Sequence, residues 1–210
     1  MKGFIFDLDG VIVSTDGLHY LAWKQMADKE GIYFDEKINN RLRGVSRMAS
    51  LEIILERSVR EYSDEEKQTL ATYKNDIYKD LLKSLTPNDI LPGVSETLKE
   101  LRARGYKLAI GSSSRNTPQI LKYIGLEGFF DAVSDGNNIT NSKPDPEVFI
   151  KGAVFLGLEN SECYVVEDAK AGVDAGIAGG FTTIALGDAY GYDKADFSIK
   201  HFGKILSIAK

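Results

Sequence analysis

The sequence predicts an α/β protein, a Rossmann-like parallel-sheet core interrupted by an inserted α-helical cap domain. Three observations predict it. KGFIF near the start is continuously apolar, as strands covered on both faces are. From Tyr106 onward, short β-rich runs alternate with helical patterns, the order that builds a parallel sheet with helices on both faces. Between Ser14 and Thr86 the strand signal disappears and helical periodicity takes its place.

KGFIF forms the first central strand and runs straight into Asp7, with Asp9 on the same side of the chain because strand facing repeats every second residue. The inserted region opens with His19, Ala22, Trp23 and Met26 on one helical face. Ser46 reads as the cap of a later helix that carries Arg47 in its first turn. Ser63 and Glu66 make a capping box ahead of a helix whose apolar stripe is Leu70, Tyr73, Ile77 and Leu81. Thr86-Pro87 and Pro92-Gly93 punctuate the return to alternating structure. YKLAIG, DAVSD, CYVVE and TTIAL then read as strands. Helices are expected at 118–124, at 146–156 with Asp145 as cap and Pro146 as first residue, and at 169–178. The domains are therefore 1–13 with 87–210 as catalytic core, and 14–86 as helical cap. A module inserted at the end of the first strand is placed to act as a lid over a ligand crevice.

The 210 residues are 43% hydrophobic and 27% charged, a globular composition. A formal charge of −5 argues against nucleic acid as a partner. No apolar run has the length of a membrane span, and Asp7 and Asp9 break up the apolar N-terminus that a signal peptide would need. Cys163 is the single cysteine and lies in an apolar run, so it reads as a small buried hydrophobe in a reducing, cytoplasmic setting. The expected partner is a small molecule bound by a monomer.

Five stretches carry chemistry. FIFDLDG and YVVED both end apolar strands in paired acids, Asp7 with Asp9 and Glu167 with Asp168. Neighbouring in one sheet, they gather four carboxylates at one edge, and a hard divalent cation such as Mg²⁺ offsets that crowding. Read singly, the first pair is a solvated turn and the second an acidic helix cap. GSSSR places hydroxyls between a strand and a helix, suiting either an anion or a capped turn. Lys143 in SKPDP precedes a proline, so its backbone is extended and its charge can face a negative cleft. RLRGVSR is the densest basic run of the helical region, and Arg47 suits a bidentate grip on phosphate as well as an exposed turn.

In this order, DLDG (7–10), GSSSR (111–115), SKPDP (142–146) and VED (166–168) resemble the motifs of the haloacid dehalogenase superfamily of phosphotransferases. Within it, DGVIVSTDGLHYLAWK, LRGVSR, YKND and SSSRN are similar to the β-phosphoglucomutase family, which interconverts β-glucose 1-phosphate and glucose 6-phosphate through β-glucose 1,6-bisphosphate. The resemblance implies Asp7 as the nucleophile that carries the phosphoryl group and Asp9 as general acid/base. It implies Mg²⁺ held by Asp7, Asp9 through its carbonyl, and Asp168, with Glu167 as ligand or just behind. Ser112 and Lys143 would hold the transferring phosphoryl group. Gly44, Val45, Arg47, Ser114, Arg115 and Asn116 would bind the sugar phosphate, Arg47 gripping the phosphate that does not react. His19, Trp23 and Lys74 belong to the cap side of the substrate site, His19 and Lys74 coupling closure to Asp9. Arg43 and Arg115 stand where that family usually has lysine, which keeps the charge and changes the reach. A sugar-phosphate phosphatase and a non-catalytic sugar-phosphate sensor on the same scaffold are the alternatives.

Overall fold

The computed structural model describes residues 1–42 and 46–209, and the chain divides into two compact units, Met1–Ser14 with Thr86–Lys210 and Thr15–Leu85. Arg43, Gly44 and Val45 lie outside the described residues.

In the first unit the strands are β1 (Gly3–Phe6), β2 (Lys107–Gly111), β3 (Ala132–Ser134), β4 (Cys163–Glu167), β5 (Thr182–Ala185) and β6 (Phe197–Ser198). They form one parallel sheet in the order β3-β2-β1-β4-β5-β6. Every residue of β1 is buried because both faces are covered. Ile5 points to one face, among Ala109, Phe149, Val165 and Phe181. Phe4 and Phe6 point to the other, where Phe4 stacks on Tyr164 (4.7 Å between centroids) and Phe6 on Phe202 (5.7 Å). The sequence order reverses between β1 and β4, and in open α/β sheets such a switch opens a crevice beyond the carboxyl ends of the strands. Val13 and Ile90 bridge antiparallel, and the Leu91 N–H donates to Ile12 O (2.9 Å), so the outgoing and returning chains run side by side.

The helices of this unit include α5 (Val94–Ala103), α6 (Thr117–Tyr123), α7 (Glu147–Leu156), α8 (Lys170–Ala178) and α9 (Ile205–Ile208), following α1 to α4 of the helical unit in chain order. The start of α7 differs from the sequence reading. Pro146 is the N-cap rather than the first helical residue, and Asp145, one residue earlier, accepts from the Glu147 N–H (2.9 Å). β6 had no signal in the sequence. Two residues at a sheet edge, both exposed, carry too little pattern to read.

The second unit holds α1 (Asp16–Lys29), α2 (Glu36–Asn40), α3 (Arg47–Leu55) and α4 (Asp64–Leu82). Its core packs Trp23, Met26, Phe34, Leu51, Ile54 and Leu70. The capping box of α4 is present, with Ser63 Oγ accepting from the Glu66 N–H (3.3 Å) and Glu66 Oε2 from the Ser63 N–H (2.8 Å). The buried face of α4 corrects the expected stripe. Leu70, Ala71, Lys74, Asn75, Tyr78 and Leu82 are buried, whereas Tyr73, Ile77 and Leu81 sit on its flank. Apolar periodicity sees only apolar residues, and here the face that packs contains a lysine and an asparagine. Among the described residues no helix is long and apolar enough to cross a membrane.

Candidate active site

The register of the sheet brings the two acidic strand ends together. Phe6 pairs with Val166, and the Asp7 N–H donates to Val166 O (2.9 Å), so Asp7 and Glu167 leave adjacent strands at the same level. Lys143, from the loop before α7, places its Nζ 2.5 Å from Asp7 Oδ1 and 2.6 Å from Glu167 Oε1. All three side chains are nearly sealed from solvent. Burial pulls the Lys143 pKa down, but the Asp7 and Glu167 carboxylates outweigh it and the net shift is upward. The ammonium is therefore permanently charged.

Glu167 has both oxygens engaged, since Oε2 accepts from the Ala169 N–H (2.8 Å). The helix-capping role and the charge-bearing role thus fall on one side chain. Its place depends on Gly172 in α8, where a Cβ would stand 1.8 Å from Glu167 Oε1. Gly10 does the same for Asp168. It has φ +79°, a region that favours glycine, and a Cβ there would lie 2.0 Å from Asp168 Oδ2. The carboxyl of Asp168 is therefore packed against the loop that carries Asp7 and Asp9. Burial first, then the charges of Asp7, Glu167 and Asp9, push the Asp168 carboxyl up to about 9. Asp9 is partly buried, its backbone bridged to Val13.

Among the described residues no three histidine, cysteine or acidic side chains form a ready-made cage. Glu167 is turned to Lys143 and Ala169, behind the acids that remain. Mg²⁺ ordinarily takes one or two carboxylates and completes its shell with waters and phosphate oxygens. Asp7 and Asp168, two carboxyls crowded at one strand edge, fit that chemistry.

The serine loop leaves β2, the other neighbour of β1. Ser112 is buried and its Oγ accepts from the Ser114 N–H (3.2 Å). Ser114 Oγ accepts from the N–H of Asn116, the buried residue that precedes α6 (3.1 Å). Arg115 is exposed, its Nε donating to Gly136 O (3.1 Å).

In the helical unit a second polar cluster forms. Lys74 Nζ lies 2.7 Å from His19 Nδ1, and 4.7 and 4.6 Å from the ring centroids of Trp23 and Tyr78. The ammonium is the donor, so Nδ1 accepts and the ring proton sits on Nε2. His19 stacks on Tyr78 (4.0 Å), whose hydroxyl meets Thr15 Oγ1 (2.8 Å). Burial, then the charges of Lys74 and Arg47, hold the His19 pKa well below its usual value. Arg47 is partly buried at the start of α3, behind the Ser46 cap. The sequence reading missed Tyr78 and Thr15 here and Gly172 in the first unit. Position 78 follows Lys74 by one helical turn, the signal that could have found it.

Known proteins give a consistent comparison. A family model described as haloacid dehalogenase-like hydrolase matches residues 1–180. A β-phosphoglucomutase of Bacillus subtilis is 40% identical over 202 residues, covering 95% of this chain and 89% of that protein. A phosphorylated carbohydrates phosphatase of Thermotoga maritima is 30% identical, covering 88% of this chain and 84% of that protein. The crystal structure of β-phosphoglucomutase from Clostridium difficile matches with a TM-score of 0.90 and 37% identity, covering 98% of this chain and 93% of that one.

Proposed function

The chain belongs to the haloacid dehalogenase-like hydrolase family, and on that premise we propose that it is a Mg²⁺-dependent β-phosphoglucomutase. In this reading it interconverts β-glucose 1-phosphate and glucose 6-phosphate. The observation that carries it is the Asp7–Lys143–Glu167 chain at the sheet's switch point, in a protein 40% identical to a β-phosphoglucomutase.

Asp7 is the nucleophile. Its free carboxylate oxygen attacks phosphorus, an O–P bond to the enzyme forms, and the P–O bond to the sugar breaks. Asp9 gives a proton to the departing sugar oxygen and takes one back when the other sugar hydroxyl attacks the aspartyl phosphate. Lys143 faces the charge that builds on the phosphoryl oxygens, and Ser112 holds the same group. Glu167 holds Lys143 in place. Mg²⁺, held by Asp7, Asp168 and the Asp9 carbonyl when bound, supplies the positive charge that lets anionic nucleophile and phosphoryl group approach. Ser114, Arg115 and Asn116 bind the sugar phosphate from the core. The helical unit acts as a cap that excludes water and supplies Arg47 for the phosphate that does not react.

A sugar-phosphate phosphatase is the second reading, favoured by the 30% identical carbohydrate phosphatase relative. Both share the aspartyl phosphate and differ in whether sugar or water discharges it. Supplying β-glucose 1-phosphate, Mg²⁺ and a trace of the bisphosphate separates them. A mutase yields glucose 6-phosphate as the main product, and Asp7→Asn abolishes it. Free phosphate as the main product would establish the phosphatase instead.

A further inference from the structure

The loop after β2 contains one hydroxyl unlike its neighbours. Ser112 Oγ and Ser114 Oγ each accept a backbone N–H, and Thr117 Oγ1 donates to Ser114 O (2.9 Å). Ser113 Oγ is shut off from solvent and has no hydrogen-bond partner, the one such buried side-chain atom among the described residues. A buried hydroxyl left unsatisfied destabilises the fold, and an alanine at this position would avoid that cost.

The surrounding backbone leaves little room to relieve it. Gly136 lies so close that a Cβ there would come within 2.5 Å of Ser113 O. Gly136 is itself held on both sides, its N–H donating to Ser114 O (3.2 Å) and its carbonyl accepting from Arg115 Nε (3.1 Å). With the main chain clamped, the freedom that remains is rotation of the Ser113 side chain among its staggered positions. The position matters as well. Phe6 pairs with Ile110, so β2, which ends at Gly111 just ahead of Ser112 and Ser113, leaves the sheet beside the strand that runs into Asp7. A donor without an acceptor thus lies in the loop that follows the strand beside β1, and β1 runs into the group proposed to receive a phosphoryl unit, whose three oxygens are strong acceptors.

We propose that Ser113 is a further phosphoryl-binding residue, its hydroxyl rotating to donate to an oxygen of the group being transferred to Asp7. This rests on the reading of Asp7 as the nucleophile. The hydrogen bond strengthens as charge accumulates on the phosphoryl oxygens, so it acts on the rate more than on donor binding. No bond to Ser113 is made or broken, and its proton stays on the hydroxyl.

Ser113→Ala tests this by intact mass, following the adduct on Asp7 after rapid mixing with Mg²⁺ and acetyl phosphate. The rate at saturating donor is expected to fall roughly three- to tenfold, the size of one hydrogen bond, with half-saturation little changed. The melting temperature of the free protein is expected to hold or to rise by roughly 2–4 °C, because the unsatisfied hydroxyl is gone. An unchanged rate overturns the proposal. A slower rate with a lower melting temperature also overturns it, since the hydroxyl would then be supporting the fold. Wild-type protein that acquires no adduct would remove the Asp7 reading and this one with it. A normal wild-type adduct with an unaffected Ser113→Ala variant removes this one alone.

Discussion

At the carboxyl end of the sheet, Lys143 meets two carboxylates, whereas in the helical unit Lys74 is buried against the faces of Trp23 and Tyr78 and the neutral nitrogen of His19. Both sites take an ammonium out of water, which is costly unless something replaces the lost hydration. In the first, opposite charges replace it, and negative charge is left over. The surplus falls on Asp168, whose carboxyl is pushed up to about 9, foremost by burial and then by its acidic neighbours. In the second, ring faces and an imidazole lone pair replace it. The cost there falls on His19, which is kept from taking a proton. The acids gathered around Lys143 include a carboxyl that resists ionising in spite of the ammonium, and the imidazole beside Lys74 resists charging.

The largest effect expected from breaking this contrast is at Lys143. Lys143→Met keeps the volume but leaves Asp7 and Glu167 buried and unpaired. Removing one partner of a buried ion pair costs about 3–5 kcal/mol, a large part of a typical domain's stability. Urea denaturation should show a correspondingly lower midpoint, and Glu167→Gln added to Lys143→Met should recover part of the loss. A variant as stable as the wild type would mean that Lys143 does not balance these acids.

Next come two glycines that differ in what faces them. Gly172→Ala drives a methyl into Glu167, whose oxygens are fixed by Lys143 and Ala169, and overpacking of this kind costs roughly 1–3 kcal/mol. Gly17, in α1, has nothing within 4 Å of a built Cβ. Gly17→Ala should stabilise the protein by roughly 0.4–1 kcal/mol, by restricting the unfolded chain. A Gly172→Ala midpoint that rises, as that of Gly17→Ala is expected to, would show that Glu167 is not held against α8.

These two glycines also show where the sequence could be read and where it could not. Apolar runs ending in Asp7 and Asp168 were visible because a strand buried on both faces has a continuous pattern and ends abruptly at a charge. The capping box at Ser63 was visible because its two partners are three residues apart. Gly172 was not, since its role is to lack a side chain opposite a residue from another element, and no local pattern encodes an absence. Lys74 and Asn75 were assigned to no buried face for a related reason. A lysine is solvated by default, and only tertiary partners such as Trp23 and Tyr78 overturn that. Ser113 looked like its two neighbours in GSSSR until their partners were known.

The smallest expected effect follows from His19 and sharpens the same comparison. Its folded pKa lies well below the usual 6.5, through burial and the charges of Lys74 and Arg47. Between the two values the unfolded chain binds a proton that the folded chain does not, so folding is favoured at higher pH. The stability due to neutral His19 is fully present above 6.5 and is lost as the pH falls. One proton limits the slope to about 1.4 kcal/mol per pH unit. The raised Asp168 carboxyl tilts stability the other way across this range, because there the folded state holds the extra proton. Neither protein's own slope therefore isolates His19, but the difference between wild type and His19→Asn does. That difference should grow as the pH rises from about 5 to 6.5 and level off above. A difference that stays flat across this window would mean that His19 titrates as it does in the unfolded chain, and the imidazole would then be no counterpart to the crowded carboxyls of the other unit.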